Sequence, residues 1–345
     1  MGNVTLKDIA GVSGYSFSLV SRVLRNKGID SIPQKTIQTI RDTASEMGYI
    51  VNRSAQSLKM NRTNIVAVVL PVGNNFSTTI FPPLTEAIVT AESIDSCKMD
   101  FIFFNTLGGY KEYENLQEII SLNPEGVIYS VPPKSTIGLS QDLKRRHLLN
   151  DLAAKGKPIM FLMEKYDVPG SCTYMFDDFS GAYEGTKFLA DKGCKSIVFM
   201  QTSFESRLEG YKKAMDDHAL TCEITQGLVG FTFEAGYEYM RELKETGGEW
   251  PDGILATCDT CAMGILRAMR DFGLKDNAIQ VMGYDCITAN VMTDYSFYSV
   301  KQPIGLMGRE CTEAMLNWIE TGVKPESKLY KPEIVTFTSS FAGKG

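Results

Sequence analysis

The chain has 345 residues, of which 43% are hydrophobic and 22% charged, a composition typical of a globular protein too long for one compact core. Its longest apolar runs, such as 65–70, are only as long as a strand and no secretory leader is evident. The sequence therefore argues against a membrane span or membrane partner, and we expect a cytoplasmic protein. The net charge of −6 is uneven, because nine Lys and Arg against four Asp and Glu give residues 1–62 a charge of +5 and leave −11 for the remainder. This predicts that the basic segment meets a polyanion.

Short helices are predicted at the N-terminus. Thr5 and Asp8 form an imperfect capping box, which predicts a helix over 6–12. A glycine turn follows, and Ser16 is a plausible N-cap for a second helix over 17–24. Two short helices joined in this way are typical of a helix-turn-helix, which places side chains in the major groove of DNA.

The second predicted helix has two different faces. Its apolar residues recur at helical spacing and should pack inward: Leu19, Val20, Val23 and Leu24. Its opposite face carries Phe17, Ser18, Ser21 and Arg22. A third helix is predicted to begin at Pro33 and to end at Gly48. Helices this short bury little surface, so we expect a marginal core.

Two stretches carry a specific resemblance. VTLKDIAGVSGYSFSLVSRVL and IPQKTIQTIRDTASEMGYIVNRSAQSL resemble the N-terminus of the LacI/GalR family of bacterial regulators, nearly position for position over residues 4–58. In that family this region is a helix-turn-helix, a third helix and a hinge helix that orders on operator DNA. The resemblance implies an all-α helix-turn-helix DNA-binding domain at 1–50 and a hinge helix with linker at 51–64.

The same resemblance implies individual DNA contacts. Phe17, Ser18 and Arg22 occupy its base-reading positions, where Arg22 can pair with a guanine edge and Phe17 can pack on a thymine methyl. Candidate phosphate contacts are Thr5, Ser16, Ser21 and Asn26. In the hinge, Asn52 can cap the helix, and Leu58 stands where family members insert an apolar side chain into the minor groove. The alternatives are a core role for Phe17 and simple helix packing for Ser21.

From residue 65 the pattern changes to alternating strands and helices. Short apolar runs predict strands at 65–70, 99–104, 126–129, 158–162, 196–200, 253–256 and 279–283. Amphipathic segments predict helices at 82–96, 112–122, 141–154, 180–192, 205–218, 234–246 and 261–272. Two such series in tandem predict two α/β lobes with parallel sheets and a cleft between them, with ligands at the carboxyl ends of the strands.

The body also resembles the LacI/GalR family, whose effector domain is like a periplasmic binding protein. The stretches that match include FDDFSGAYEGTKFLADKGCKSIVFM, DGILATCDTCAMGILRAMRDFGL and YSVKQPIGLMG. The resemblance implies an effector-binding and dimerisation domain at 65–345. We expect lobe 1 to comprise about 65–164 and 298–322, and lobe 2 about 165–297 and 323–345.

Several effector contacts are implied by this resemblance. Arg207 and Asp285 fall on an arginine and an aspartate that contact the effector in the family, and donors facing a carboxylate suit a polyhydroxylated ligand. Phe231 and Phe81 lie near aromatic positions that contact the ligand from the two lobes. The alternatives are a structural ion pair for the first two residues and core packing for the aromatics.

Three positions depart from the family pattern. Cys258 precedes Asp259 where many members carry Asn, Met163 stands where many carry Asp, and Asp178 replaces a commoner Asn. Cys258, Asp259 and Asp178 are still predicted to belong to the effector pocket. The pocket should therefore contain fewer amide groups than usual, and the sequence leaves the effector open.

The function implied is that of a homodimeric repressor that binds double-stranded operator DNA. A small-molecule effector between the lobes, a sugar or related metabolite, would control its operator affinity. We expect neither cofactor nor metal. One alternative is a global regulator that needs a protein corepressor. Another is a thiol-dependent or redox enzyme using Cys258 and Cys261, although this single CxxC motif and two isolated histidines lack the remaining ligands of a zinc site.

Overall fold

The structure is a computed structural model. It describes residues 4–24, 28–49, 63–70, 77–94, 99–105, 110–131, 139–286 and 295–338. The chain divides into two compact units, residues 1–62 and residues 63–345.

Unit 1 contains the predicted helical head. Its helices are α1 (Leu6–Ser13), α2 (Phe17–Leu24) and α3 (Gln34–Glu46). The capping box at α1 is complete, since the Thr5 backbone N–H donates to Asp8 Oδ2 at 2.8 Å and the Asp8 N–H donates to Thr5 Oγ1 at 3.4 Å. The buried core joins all three helices through Ile9, Val20, Val23, Ile37, Ile40 and Ala44.

Unit 2 alternates strands and helices. Its first half comprises β1 (Ile65–Leu70), α4 (Ser77–Ile94), β2 (Asp100–Asn105), α5 (Tyr110–Leu122), β3 (Gly126–Ser130), α6 (Leu139–Ala154), β4 (Ile159–Leu162) and β5 (Cys172–Phe176). Its second half comprises α7 (Asp178–Asp191), β6 (Ile197–Phe199), α8 (Glu205–Asp217), β7 (Glu223–Ile224), α9 (Phe233–Glu245), β8 (Gly253–Leu255), α10 (Asp259–Asp271), β9 (Gln280–Tyr284) and β10 (Phe297–Lys301). The elements α11 (Ile304–Thr321), β11 (Lys328–Tyr330) and β12 (Glu333–Phe337) follow.

The strands form two sheets of the same plan. Sheet 1 has the order β2-β1-β3-β4-β5-β11 and sheet 2 the order β7-β6-β8-β9-β10-β12. Neighbouring strands are parallel except for β10 and β12, which are antiparallel. Helices cover both faces of sheet 1: Val66 and Val68 of β1 pack in one hydrophobic cluster, and Ala67 and Val69 pack in the other. Burial on both faces explains why β1 is apolar throughout.

The lobe boundaries differ from those predicted. Cys172 pairs with Met160, so β5 belongs to sheet 1, and Tyr298 pairs with Met282, so β10 belongs to sheet 2. Strand β11 is also in sheet 1. The predicted changes of lobe near 165, 298 and 323 are therefore wrong. The chain instead changes lobe after β5, after β10 and between β11 and β12. Pairing with strands that are distant in the sequence determines the sheet to which each strand belongs.

The predicted strands and helices of both lobes are present, with ends shifted by a few residues. The elements that were not predicted are β5, β7, β10, β11, β12 and α11. Strands β5 and β10 mix polar and apolar residues and lack a continuous apolar run. No helix in the described part of the chain is long and apolar enough to span a membrane.

Helices α9 and α10 cross very closely in lobe 2. A Cβ atom on Gly264 of α10 would collide with the backbone carbonyl of Phe233 and lie 2.8 Å from the backbone nitrogen of Tyr237, both on α9. Because both obstacles are backbone atoms, no side-chain rotation relieves the clash. Glycine at 264 is therefore required for this helix contact.

We predict that Gly264→Ala lowers the free energy of unfolding by about 2 kcal/mol, because the two helices must separate to admit the methyl group. The matched control is Gly305→Ala in α11, where an added Cβ meets nothing within 4 Å. That change should be neutral or slightly stabilising, since alanine favours a helix over glycine. Thermal unfolding of the full-length chain measures both. Equal effects of the two substitutions would contradict the close crossing.

Candidate functional site

Helix α2 of unit 1 presents a polar face to solvent. Val20 and Val23 are buried against the other helices, whereas Phe17 is 50% exposed and Ser18 and Arg22 are also exposed. The helix is thus anchored by its apolar face with these three predicted base-reading side chains turned outward. This arrangement does not support a core role for Phe17.

The hydroxyls predicted to contact phosphates differ in availability. The Ser16 hydroxyl accepts a hydrogen bond from the Leu19 N–H at 3.2 Å, which leaves its own proton free to be donated. The Thr5 hydroxyl already donates to Asp8 Oδ2 at 2.7 Å. Ser21 is half-buried. The predicted contacts Asn26, Asn52 and Leu58 lie outside the described residues.

In lobe 2 the structure brings three of the predicted effector residues into one buried network. Arg207 on α8 donates from Nε to Asp178 Oδ1 at 2.9 Å, and its Nη2 lies 3.7 Å from Asp285 Oδ1. All three residues are at most 9% exposed. Asp178 begins α7, and Asp285 directly follows β9. The network therefore lies at the carboxyl ends of the strands, where α/β sheets bind ligands.

The guanidinium of Arg207 is enclosed on several sides. Its Cζ lies 3.6 Å from the centre of the Tyr284 ring and 4.6 Å from that of Phe204, and Nη1 donates to the Thr257 carbonyl at 3.1 Å. Burial by itself lowers the pKa of this group, but the charges of Asp178 and its neighbours outweigh burial and hold the pKa above its usual value. Arg207 is therefore a permanent buried cation.

Asp285 has an unusual backbone. Its φ is 87° and that of Cys286 is 54°, in the left-handed region that non-glycine residues rarely occupy. Strand β10 holds this turn, because the Asp285 N–H donates to the Val300 carbonyl at 2.8 Å and the Cys286 N–H donates to Ser299 Oγ at 3.1 Å. Strained turns of this kind cluster at binding sites.

The carboxyl of Asp285 is also electrostatically unusual. Burial raises its pKa to about 7, an effect that the Arg207 charge opposes and the Asp178 charge reinforces. Asp285 Oδ1 lacks a hydrogen-bond partner among the described residues. A carboxyl that titrates near neutrality with an unused acceptor atom is suited to binding a hydrogen-bond donor.

Asp285 lines a cleft of about 420 Å³ between the lobes. Lobe 1 contributes Pro82, Pro83 and Glu86 of α4. Cys286 and the segment from β10 into α11 form the rest of the wall. That segment contributes Lys301, Gln302, Pro303, Ile304, Gly305 and Leu306. Volumes of this size hold small metabolites.

Phe231, Cys258 and Asp259 lie near the network without lining this cleft. The Phe231 ring lies 6.2 Å from the ring of Phe204. Cys258 caps α10 and donates from Sγ to the Phe231 carbonyl at 3.5 Å. Asp259 is fully buried and accepts a 2.6 Å hydrogen bond from the Ser299 hydroxyl. Phe81 is part of α4, but its side chain lies outside the described residues.

The two CxxC thiols are packing groups. Cys258 and Cys261 are fully buried in a hydrophobic cluster, and burial raises the pKa of their thiols to about 12 and about 11 respectively. Thiol chemistry needs an accessible thiolate near neutral pH. In the described part of the chain, no cluster of three His, Cys, Asp or Glu side chains could hold a metal ion. The geometry of these thiols does not support a redox enzyme.

Gln302 is a site residue that the sequence did not reveal. Its Nε2 donates to Asp178 Oδ1 at 3.0 Å, while its Oε1 has no partner among the described residues. It is 5% exposed and lies where the chain crosses from lobe 2 to lobe 1. Its signal was its place within YSVKQPIGLMG, directly after a strand that was not predicted.

Comparison with known proteins agrees with both units. Residues 5–52 match the model for bacterial regulatory proteins, lacI family, and residues 186–340 match that of the periplasmic binding protein-like domain. The HTH-type transcriptional regulator RegA of Clostridium saccharobutylicum is 28% identical over 318 residues, which cover 88% of this chain and 89% of RegA.

Solved structures share the fold. The lac repressor dimer bound to operator and the anti-inducer ONPF has a TM-score of 0.75 at 20% identity, covering 97% of this chain and 98% of that one. The CelR–cellobiose complex has a TM-score of 0.65 at 22% identity, covering 96% and 98% respectively. The fold and the matched domains define a regulatory protein with a helix-turn-helix unit and a periplasmic-binding-protein-like body. The chain thus combines a match to the lacI family of bacterial regulatory proteins with a match to a periplasmic binding protein-like domain, which confirms the predicted resemblance and fold class.

The buried Asp285 carboxyl generates a prediction about stability and pH. Its raised pKa means that the folded state holds a proton between about pH 4 and pH 7 that the unfolded state has lost. The stability contributed at this position is therefore present at low pH and is lost as pH rises through 7. Asp285→Asn removes the titration. The difference in the free energy of unfolding between this variant and the parent should therefore increase in favour of the variant by on the order of 3 kcal/mol as the pH rises from 5 to 8.

The measurement is the melting temperature of each full-length protein across that pH range. The matched control is Asp167→Asn, which removes a carboxylate whose side chain is 92% exposed and should show a far smaller change with pH. A difference between Asp285→Asn and the parent that stays constant from pH 5 to pH 8 would contradict the raised pKa.

Proposed function

We propose that this protein is a transcription repressor that binds operator DNA through unit 1 and changes its operator affinity when a small polar metabolite binds between the lobes of unit 2. The observation that carries this proposal is the outward face of α2, with Phe17, Ser18 and Arg22 exposed on a helix anchored by Val20 and Val23. These side chains match the base-reading positions of the family.

The chemistry of that face suits the major groove. Arg22 can donate two hydrogen bonds to the edge of guanine, and Phe17 can pack against the methyl of thymine. The Arg22 guanidinium folds back onto the Gly28 carbonyl, so it must release that contact to reach a base. Ser16 can position the helix through a phosphate, and the basic charge of residues 1–62 favours the polyanion.

The hinge and the oligomer belong to the same proposal. A homodimer would place two heads on adjacent half-sites of a pseudo-palindromic operator, with the hinge at 51–64 ordering in the minor groove and Leu58 as its apolar wedge. The lac repressor structure with operator is of a dimer. Action on bacterial DNA implies a cytoplasmic protein, and no catalytic role is proposed.

The effector side of the proposal rests on the cleft. Asp178, Arg207 and Asp285 would bind the ligand directly or orient groups that do, and Gln302 would join them from the crossover between lobes. Phe81, Phe231, Cys258 and Asp259 would complete or support the pocket. The CelR structure contains cellobiose, which supports a sugar-like metabolite as the ligand class.

We predict that Arg22→Ala lowers the ratio of operator affinity to random-DNA affinity about tenfold or more, since a bidentate arginine–guanine contact contributes about 1–3 kcal/mol of discrimination. The operator is a duplex selected from a random pool with the parent protein, and both affinities are measured at one salt concentration. The control is Lys35→Ala, which removes an exposed cation at the start of α3 and should weaken both affinities alike. An unchanged ratio for Arg22→Ala would remove Arg22 from the base-reading residues.

We also predict reciprocal coupling between ligand and operator. A ligand that stabilises the full-length protein should change its operator Kd, and operator DNA should change the ligand Kd by the same factor, expected between about 5-fold and 150-fold. Calorimetric titrations with and without operator measure both. The switch is refuted if every ligand that binds leaves operator affinity unchanged.

A further inference from the structure

Two residues that line the cleft between the lobes each have a buried acceptor atom without a donor. Asp285 Oδ1 and Gln302 Oε1 have no hydrogen-bond partner among the described residues, and both side chains are at least nine-tenths buried and line the cleft. A buried acceptor left without a donor costs free energy. A ligand that occupies this wall must therefore donate hydrogen bonds to it.

The charges around these atoms are unbalanced. Among the described residues at this end of lobe 2, three carboxyls are buried, namely those of Asp178, Asp259 and Asp285, against one buried cation, Arg207. Asp178 and Asp259 lie in the first turns of α7 and α10, where the helix dipole favours a negative charge. Asp178 accepts from Arg207 and Asp259 accepts from Ser299.

Asp285 has no comparable compensation. It follows a strand and does not itself lie in the first turn of a helix, and its 3.7 Å separation from Arg207 exceeds a hydrogen bond. The other charged groups of the cleft are Glu86, which is also acidic, and Lys301, which is 3.3 Å from Glu333. The remaining titratable group is Cys286, whose pKa burial raises. Among the described residues of the wall, no cation is hydrogen-bonded to Asp285 to compensate its charge when it ionises.

We propose that the ligand of this cleft carries a protonated amine, which pairs with Asp285 and donates to Gln302 Oε1, as an amino sugar or another small hydrophilic amine would. This inference rests on the proposed effector site and specifies its ligand class. An ammonium group supplies both the missing donors and the missing charge, whereas a hydroxyl supplies donors alone.

The test uses pairs of compounds that differ only by an amine in place of a hydroxyl: D-glucosamine and D-glucose, D-galactosamine and D-galactose, and ethanolamine and ethylene glycol. Each is added to the full-length protein at pH 6.5 and the melting temperature is measured. In at least one pair the amine should raise it by about 2 °C more than its partner. If no amine stabilises the protein more than its hydroxyl partner, the proposal is overturned.

A variant tests the contact itself. Asp285→Asn should weaken binding of the preferred amine about tenfold or more and leave its hydroxyl partner little affected, since only the charged pair loses its charge-assisted hydrogen bond. The control Asp167→Asn should keep the preference. An amine preference that survives Asp285→Asn would also overturn the proposal.

Proton release gives an independent readout. At pH 6.5 much of the Asp285 carboxyl is protonated in the free protein, so pairing with an ammonium group must expel that proton. Calorimetry in two buffers of different ionisation enthalpy should show release of at least about half a proton per amine bound. Binding without release is the contrary outcome. If hydroxyl compounds alone bind and shift operator affinity, the amine proposal fails and the proposed function stands.

Discussion

The buried guanidinium of Arg207 is the interaction on which the rest of lobe 2 depends. A cation removed from water is unfavourable unless acceptors surround it, and here they come from separate elements: Asp178 of α7 and the Thr257 carbonyl after β8 accept its hydrogen bonds, and Asp285 after β9 lies 3.7 Å away. Removing Asp178 would leave the buried cation without its hydrogen-bonded carboxylate. This requirement fixes how the ends of these strands and helices lie relative to one another.

The same network reaches the connection between the lobes. Gln302 donates to Asp178 and directly precedes the segment that leads into α11 of lobe 1. Close packing holds the start of α11 beside α4, since a Cβ on Gly308 would lie only 2.8 Å from the Cβ of Ala87. A ligand bound to Asp285 and Gln302 therefore acts at the point where lobe 2 is joined to lobe 1. Differential binding to two lobe arrangements is what a ligand needs in order to shift an equilibrium between them.

Local sequence signals predicted most of the helices and strands, but they failed where pairing between strands distant in the sequence determines the sheet. The continuous apolar run of β1 and the capping residue Thr5 needed only neighbouring residues to be recognised. By contrast, β5 and β10 are mixed in polarity, and their sheets are set by Met160 and Met282 on other strands. The errors in the lobe boundaries follow from these two strands and from β11, which pairs with β5.

The site residues likewise fall into those that sequence motifs identified and those whose contacts depend on the fold. Arg207 and Asp285 were identified because their motifs resemble the family, but their common contact with Asp178 depends on the packing of α7 against α8. Gln302 lies within the matching stretch YSVKQPIGLMG, but only the crossover after β10 brings it to Asp178. The thiols of Cys258 and Cys261 show the reverse case, since their spacing suggested chemistry and their burial explains them as packing.

The duplicated lobes differ at one equivalent position, and the difference assigns them separate tasks. Met163 follows β4 of sheet 1 as Asp285 follows β9 of sheet 2, and both have a left-handed backbone. In lobe 1 this residue packs in the hydrophobic core. The described residues that α4 contributes to the cleft wall are two prolines and Glu86. Among the described residues of the cleft, the polar side chains therefore come mainly from lobe 2 and the apolar ones mainly from lobe 1. For the proposed effector, we accordingly expect substitutions in lobe 2 to act first on ligand affinity and substitutions on α4 to act on the coupling between ligand and DNA.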